Sequence, residues 1–205
     1  ISLVVQMWTR SWLYLKKAGT LILGAAVILW FLASFPAPPA DYVLPIGFEG
    51  TTSEQAIPLS EIDDENLAQA AAMAYSISGR IGRALEPIIA PLGFDWRIGT
   101  AMVGATAAKE VFVAQMGIVF AVGDADEESD FLRLKLRDRY SQLVGFCIML
   151  FAMISTPCIA TFAITRQESG SIKWAFAQYF GLTAVAWIVT FVVYRVGLLA
   201  GLGVT

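Results

Sequence analysis

The chain contains no histidine and only two cysteines among its 205 residues. Without histidine, no imidazole can serve as a metal ligand or as a general base within this chain. Cys147 and Cys158 both lie in an apolar run, and they form neither a Cys-x-x-Cys metal pair nor the cysteine framework of a small secreted protein. These absences exclude imidazole-based mechanisms and folds held together by disulfides.

Charge is also scarce, since only 15% of the residues are charged whereas 57% are apolar. A soluble domain carries roughly 25% charged and about 45–50% apolar residues. The net charge of −3 comes with no basic stripe, so nucleic acid is not an expected partner. Because the charges cluster between long uncharged runs, we predict an all-α integral membrane protein whose surroundings are the lipid bilayer.

Long apolar runs set the number of predicted spans. A helix needs about 20 mostly apolar residues to cross a bilayer. Four stretches reach or approach that length, and Lys109–Glu110 interrupts the second while Pro157 breaks the third. We therefore predict about four transmembrane helices, one of them broken at Pro157, over residues 18–35, 98–122, 142–165 and 174–194.

Two further segments are apolar but do not have the pattern of a span. Residues 1–17 carry apolar side chains at helical spacing among basic residues, which predicts an amphipathic helix lying at the membrane interface. Residues 86–93 are apolar, too short to cross, and contain two prolines. We expect this second segment to be a re-entrant or half-helix segment that lines a cavity or is buried in protein.

The distribution of basic residues predicts the sidedness of the loops. Residues 36–79 contain no Lys or Arg but seven acidic residues, whereas residues 133–139 contain four basic ones. Short loops rich in Lys and Arg stay in the cytoplasm. We therefore expect an acidic periplasmic stretch at 36–79, a cytoplasmic loop at 133–139, and a transmembrane domain over 80–205.

Lys109 and Glu110 lie near the middle of the second predicted span. A charge at bilayer depth costs from about 3 to over 10 kcal/mol, so both side chains should face the bundle interior. Two interpretations stay open: an ion pair that only fixes helix packing, or a polar lining of a permeation route. Thr100, Gly104 and Ala108 recur at intervals of four, which predicts close approach of another backbone to this helix.

The segment around Pro157 offers metal-binding atoms within an apolar run. Pro157 has no N–H, so the carbonyl of Met153 loses its helical partner. Thr156 and Thr161 add hydroxyl groups, and the thiol of Cys158 favours softer transition metals over Na⁺, K⁺ or Mg²⁺. The alternative is a proline kink beside a small packed cysteine.

Other candidate residues are less distinctive. Glu86 precedes Pro87 and could either contact a metal or face water at the head of the re-entrant segment. Cys147 lies eleven residues before Cys158, which is about 16 Å along an unbroken helix, so we predict a core residue there.

Three groups of residues together resemble a known family. Gate domains, also called nucleoside-recognition domains, are similar to this chain at 82–87, 91–97 and the Ala-Lys-Glu sequence of 108–110. The sequence Thr-Pro-Cys-Ile-Ala-Thr at 156–161, with the segment 166–175, resembles ferrous iron transport protein B. The resemblance covers nearly the whole chain, including residues 8–10 and 17–19, and the order and spacing of the segments make it specific.

This resemblance implies Fe²⁺ transport across the bacterial cytoplasmic membrane by a multi-pass protein. Family members join a cytosolic G-protein domain to two Gate segments, and this chain resembles only the second segment and the helices that follow. No G-x-x-x-x-G-K-[ST] sequence is present, so we expect GTP hydrolysis to belong to a part of the protein outside this chain, which is itself not an enzyme.

The resemblance also implies partners and site residues. The expected partners are the G domain and first Gate segment of the same protein, with a second copy or small accessory proteins as further candidates. Fe²⁺ is expected as the transported ion, with no cofactor bound by this chain. The residues expected to contact metal are Cys158, Glu110 and Glu86, and those expected to line the permeation route or gate are Lys109, Thr156, Pro157, Met153 and Thr161.

Two alternative functions remain open at this point. A Gate-type protein could transport another substrate, such as a nucleoside, or it could be a non-transporting membrane subunit. A nucleoside site would need a pocket with aromatic and amide groups. The thiol and hydroxyls around Pro157 favour a metal instead.

Overall fold

The protein folds into helices throughout the part of the chain that a computed structural model describes, which comprises residues 2–39, 42, 65–106, 111–120, 130–155 and 158–202. The short turn Ala90–Leu92 is a 3₁₀ helix. The α-helices are α1 (Ser2–Ser34), α2 (Glu65–Tyr75), α3 (Ile77–Ile89), α4 (Trp96–Ala105), α5 (Val111–Val119), α6 (Asp130–Arg139), α7 (Gln142–Ile154), α8 (Ile159–Ser169) and α9 (Ile172–Leu199).

Two stretches are long and apolar enough to cross a membrane. They are Gln142–Ser169, which contains α7 and α8, and Ile172–Leu199, which is α9. Each has 28 residues and would measure about 42 Å as a straight helix, more than the roughly 30 Å hydrocarbon core of a bilayer. The third and fourth predicted spans therefore coincide with membrane-capable stretches, and a shorter apolar helix, Leu23–Ser34, lies within the first predicted span.

The N-terminal region forms one helix instead of two elements. α1 continues through the predicted boundary between residues 17 and 18 without interruption, because no proline lies there and Gly19 is accommodated within the helix. Trp8 and Trp12 stack with ring centroids 6.5 Å apart, and both side chains are exposed. The placement of residues 1–17 at the membrane interface stays a prediction.

The second predicted span is not a continuous helix, so the prediction of one crossing over residues 98–122 is wrong. The guanidinium of Arg97, at the start of α4, lies 5.4 Å from the ring centroid of Phe120, which follows α5. In a straight helix these residues would be separated by about 34 Å. Gly104 and Gln115 also face each other across the two helices. α4 and α5 therefore lie side by side as a helical hairpin, hereafter the α4–α5 hairpin.

The physical reason for the hairpin is that its two short helices bury apolar side chains in the same core. Ile98 and Ala101 of α4 belong to one buried cluster with Met116 of α5 and Phe120. α4 and α5 have 10 and 9 residues, so each is about 15 Å long and too short to span a bilayer alone.

The segment predicted as re-entrant, residues 86–93, is not a separate element. α3 includes Pro87 and ends at Ile89, and the turn Ala90–Leu92 follows directly. Gly93 then reverses the chain with φ of 80°, and a Cβ there would come within 2.7 Å of the Tyr194 ring. The α4–α5 hairpin has the doubled-back form that was expected of this segment.

Close backbone contact joins α3 to the α4–α5 hairpin. A Cβ on Gly82 would lie 2.7 Å from the carbonyl oxygen of Trp96 and would also clash with Thr100. A Cβ on Gly99 would lie 2.9 Å from the carbonyl oxygen of Gly82, and one on Gly104 would lie 2.6 Å from Gln115. The predicted close packing at Thr100 and Gly104 is therefore confirmed, while Ala108 lies outside the described residues.

Adding one methyl group at Gly82 should destabilise the protein. Gly82→Ala would force α3 and α4 apart, and overpacking of this kind costs about 1–3 kcal/mol. The matched control is Gly181→Ala in α9, where nothing lies within 4 Å of an added Cβ. Thermal unfolding of the detergent-purified protein should show a lower Tm for the first variant only. An unchanged Tm for Gly82→Ala would contradict the close contact.

Candidate functional site

The stretch Gln142–Ser169 is interrupted between α7 and α8. Ser155 has φ −63° and ψ 169°, and Cys158 has φ −58° and ψ 166°, so the backbone is extended on both sides of the break. Thr156 and Pro157 lie outside the described residues. α7 therefore ends at Ile154 and α8 begins at Ile159, as expected from the predicted break, while the break at Pro157 itself stays a prediction.

The end of α4 lies directly against this break. The N–H of Ile159, the first residue of α8, donates to the carbonyl oxygen of Thr106 at 2.9 Å. Thr106 follows the last residue of α4, three positions before Lys109 in the sequence. Lys109 and Glu110 themselves lie outside the described residues. A backbone hydrogen bond thus joins the end of α4 to the start of α8, and the sequence did not predict this contact.

Cys158 and Thr161 stand beside this contact. The Cys158 side chain is half-buried at the N-cap of α8, and its Sγ lies 3.6 Å from Oγ1 of Thr161. A sulfur, a hydroxyl oxygen and the backbone groups of the break are therefore close together. By contrast, Cys147 is completely buried in the main apolar cluster, so its predicted role as a core residue is confirmed.

Two other predicted site residues lie away from this group. Met153 is 80% exposed on α7, so its side chain faces outward and only its carbonyl could contribute to the break. Glu86 is half-buried in the last turn of α3, between Gly82 and Ile89, which both face Gly99 in the first half of α4. Because the Thr106–Ile159 contact is at the other end of α4, the structure does not bring Glu86 to the break.

A metal site made only of acidic, cysteine or histidine side chains is not observed here. Among the residues that the structure describes, no three such side chains converge. A metal at the break would therefore depend on the thiol of Cys158 together with hydroxyl and carbonyl oxygens. These ligands suit transient contact with a divalent ion better than a permanent structural site.

The opposite end of the α4–α5 hairpin carries a polar network that sequence reasoning missed. Asp95 caps α4 by accepting from the N–H groups of Arg97 and Ile98, each at 3.2 Å. It also accepts from the hydroxyl of Tyr140 at 2.7 Å and lies 3.5 Å from Nη1 of Arg97. An Asp before an apolar helical segment is a known start signal, so the cap could have been recognised, but its partner Tyr140 could not.

Arg97 is nearly fully buried, with only 3% of its surface exposed. Its guanidinium lies over the rings of Trp96 and Phe120, each at 5.4 Å from the ring centroid. Lys135 of α6 donates to the carbonyl oxygen of Phe120 at 2.8 Å. The residue before α4, Asp95, and the residue after α5, Phe120, are therefore both hydrogen-bonded to the segment that contains α6 and Tyr140.

Burial and the neighbouring Asp95 carboxylate raise the pKa of Tyr140 above its ordinary value of about 10. Burial is the larger cause, because the phenolate would lose its hydration. Tyr140 consequently remains a neutral hydrogen-bond donor throughout the physiological range. Since the folded-state pKa is raised, the stabilising effect of this hydroxyl is fully present below about pH 10 and declines only at higher pH.

Removing the Tyr140 hydroxyl should weaken the base of the hairpin. Tyr140→Phe leaves Asp95 without this donor, and hydrogen bonds to charged groups contribute about 1.5–3 kcal/mol. We expect a lower free energy of unfolding for the purified protein, by the same amount at pH 7 and pH 9. Tyr75→Phe, at a ring that packs on Tyr42, is the control. Equal stability of wild type and Tyr140→Phe would show that this bond contributes nothing.

Together these features define an all-helical protein with two membrane-capable stretches, in which the interrupted stretch Gln142–Ser169 contacts the α4–α5 hairpin. The chain belongs to the Gate family, whose model, described as nucleoside recognition, matches residues 15–172. The resemblance found in the sequence is thereby confirmed.

Curated relatives resemble the chain over most of its length. A fusion protein named Fe(2+) transport protein A/Fe(2+) transporter FeoB, from Porphyromonas gingivalis, is 33% identical over 97% of this chain and 25% of its own length. Proteins named Fe(2+) transporter FeoB from Leptospira biflexa and Helicobacter pylori are 32% and 33% identical, each over 92% of this chain. The chain spans 25–30% of the length of these relatives. No solved structure matches it.

Proposed function

We propose that this chain forms part of an Fe²⁺ transporter and that the break between α7 and α8 lies on the route of the ion. The hydrogen bond between Thr106 and Ile159 is the observation that carries this proposal, because it joins the hairpin to the break beside Cys158. The names of the relatives support Fe²⁺ as the ion. Interrupted helices in the interior of transporters present backbone groups that can contact ions.

The chemistry of the break suits a ferrous ion. Thiol sulfur binds iron and other transition metals better than it binds Mg²⁺ or Ca²⁺, while hydroxyl and carbonyl oxygens provide weaker contacts. An ion must bind well enough to enter and weakly enough to leave. One thiol with a few neutral oxygens meets both conditions. We assign Cys158 and Thr161 as contacts, with Thr156, Pro157 and the Met153 carbonyl as lining.

The charged pair remains part of this proposal on sequence grounds. Lys109 and Glu110 belong to the segment that joins α4 to α5, and Thr106, which precedes it, is in contact with α8. We propose Glu110 as a second metal contact and Lys109 as a gate residue. Glu86 is proposed as a metal contact at a separate point, because its neighbours on α3, Gly82 and Ile89, face the first half of α4.

Replacing Cys158 should reduce iron uptake, whereas replacing Cys147 should not. Cys158→Ser exchanges a soft ligand for a harder one of similar size, and a loss of about 1 kcal/mol in metal contact corresponds to about fivefold weaker binding. Uptake of ⁵⁵Fe²⁺ at limiting iron, by cells expressing the complete protein, should fall by about this factor. Cys147→Ser is the matched control, since that thiol is buried in the core.

Equal uptake by Cys158→Ser and wild type at limiting iron would remove the thiol from the ion route. Protein amount in the membrane must be measured beside uptake, because a misfolded variant would also fail to transport. A loss that disappears at saturating Fe²⁺ would locate the effect in binding.

We further propose that residues 36–79 face the periplasm and the segment containing α6 faces the cytoplasm. Short basic segments remain cytoplasmic, and α6 carries Arg133, Lys135, Arg137 and Arg139. In a variant of the complete protein without other cysteines, Ser53→Cys should react with an impermeant thiol reagent added to cells. Asp138→Cys, at an exposed position of α6, should react only after the membrane is opened. Labelling of both from one side would overturn this orientation.

A second candidate substrate is a nucleoside, as the description of the family model indicates. A cavity of about 470 Å³ beside α8 is lined by Ile159 and Ala163 and by aromatic, guanidinium and amide groups from Phe162, Arg166 and Gln167. Such groups suit a nucleobase. Competition between unlabelled nucleosides and ⁵⁵Fe²⁺ during uptake would favour this alternative, and its absence would favour the metal.

A further inference from the structure

A second cavity, of about 540 Å³, lies between α5, α6 and α7. Its apolar lining comes from all three helices: Phe112, Val113 and Met116 of α5, Leu132 and Leu136 of α6, and Ile148 and Met149 of α7. The polar residues of its lining are all near the junction of α6 and α7, namely Arg137, Tyr140, Ser141 and Gln142. The cavity therefore combines a polar group at the α6–α7 junction, hereafter its mouth, with an apolar lining.

The cavity extends along the first two turns of α7. Ser141 and Gln142 are at the start of α7, and Met149 is two turns further along the helix. The distance from Ser141 to Met149 is about 12 Å at the rise of an α-helix. Because α7 begins the membrane-capable stretch Gln142–Ser169, the mouth lies where that stretch starts and the apolar part runs alongside it. This is the level at which a lipid has its headgroup above its acyl chains.

The charge at the mouth favours an anionic headgroup. α6 carries four basic residues and two acidic ones, Asp130 and Asp138, and so has an excess of positive charge. Arg137 is exposed and lines the mouth, while the start of α7 adds the positive end of a helix dipole. Basic segments at the membrane surface attract anionic lipids in this way.

We propose that this cavity binds an anionic phospholipid, with the headgroup at Arg137 and the start of α7 and an acyl chain between α5 and α7. The bound lipid would fill space between the α4–α5 hairpin and α6–α7, next to the Tyr140–Asp95 bond. This assignment is independent of the transported substrate and requires only that Gln142–Ser169 crosses the bilayer.

Two pairs of variants test the site. Gly145 lines the cavity and has nothing within 4 Å of an added Cβ, so Gly145→Leu should fill the cavity without disturbing the helix. Gly181→Leu, in open space on α9, is its control. Arg137→Gln removes the charge at the mouth, and Arg139→Gln removes an exposed charge of the same helix that does not line the cavity.

The measurement is the amount of lipid that the complete protein retains. The protein is placed in nanodiscs of phosphatidylcholine and phosphatidylglycerol at a 3:1 ratio, released from them, and analysed by native mass spectrometry. Wild type should retain phosphatidylglycerol in excess of its share. Gly145→Leu should lose the retained lipid, and Arg137→Gln should reduce the preference for phosphatidylglycerol about fivefold, as expected for one basic residue at a membrane surface. Both controls should behave as wild type.

Several results would overturn the proposal. Retention of both lipids in proportion to the mixture would show that the mouth does not select charge. Equal loss in Arg137→Gln and Arg139→Gln would indicate diffuse attraction to α6 instead of a site. Unchanged retention in Gly145→Leu would show that the lipid binds elsewhere. If Gly145→Leu does not fold, the two arginine variants still decide. If inorganic phosphate raises the Tm as much as phosphatidylglycerol does, the site binds a free anion and not a lipid.

Discussion

Backbone N–H and C=O groups that lie among apolar side chains must find partners within the protein, because no water or lipid atom can satisfy them. The interruption between Ile154 and Ile159 creates such groups within a 28-residue apolar stretch. The hairpin meets part of this need, since Thr106 accepts from the N–H of Ile159. The same bond gives a donor to the carbonyl of Thr106, which follows the last residue of α4. Each interrupted element thus depends on the other.

This mutual contact requires that the helices around it approach closely. Gly82 and Gly99 allow α3 to lie against α4 with their backbones nearly touching, and Gly104 allows Gln115 to lie against α4. Small residues are the usual means by which helices in a membrane pack, because burial of apolar groups gives little gain there. The glycines therefore set the position of the hairpin, and the hairpin sets what lies beside Cys158.

Polar contacts hold the opposite end of the hairpin. Asp95 joins α4 to Tyr140, and Lys135 joins the carbonyl of Phe120 to α6. Arg97 is retained in the interior by Asp95 and two aromatic faces. Removal of one member of such a buried group would leave a charge without compensation, which is strongly destabilising. The hairpin is consequently fixed at its base by charge and at its far end by a backbone bond, with an amphipathic cavity alongside α5.

The sequence by itself determined the helical membrane class, the two long apolar stretches, the break near Pro157 and the close packing at Thr100 and Gly104. These properties depend on local quantities: run length, the missing N–H of proline and the spacing of small residues. Only the tertiary structure decided that α4 and α5 fold back on each other, because a mostly apolar run of 25 residues suits one long helix as well as two short ones. It also decided that Thr106 meets Ile159, that Tyr140 meets Asp95, and that Glu86 lies away from the break. Each of these contacts is between residues that are distant in the chain or depends on how helices cross. A local sequence pattern does not predict contacts of this kind.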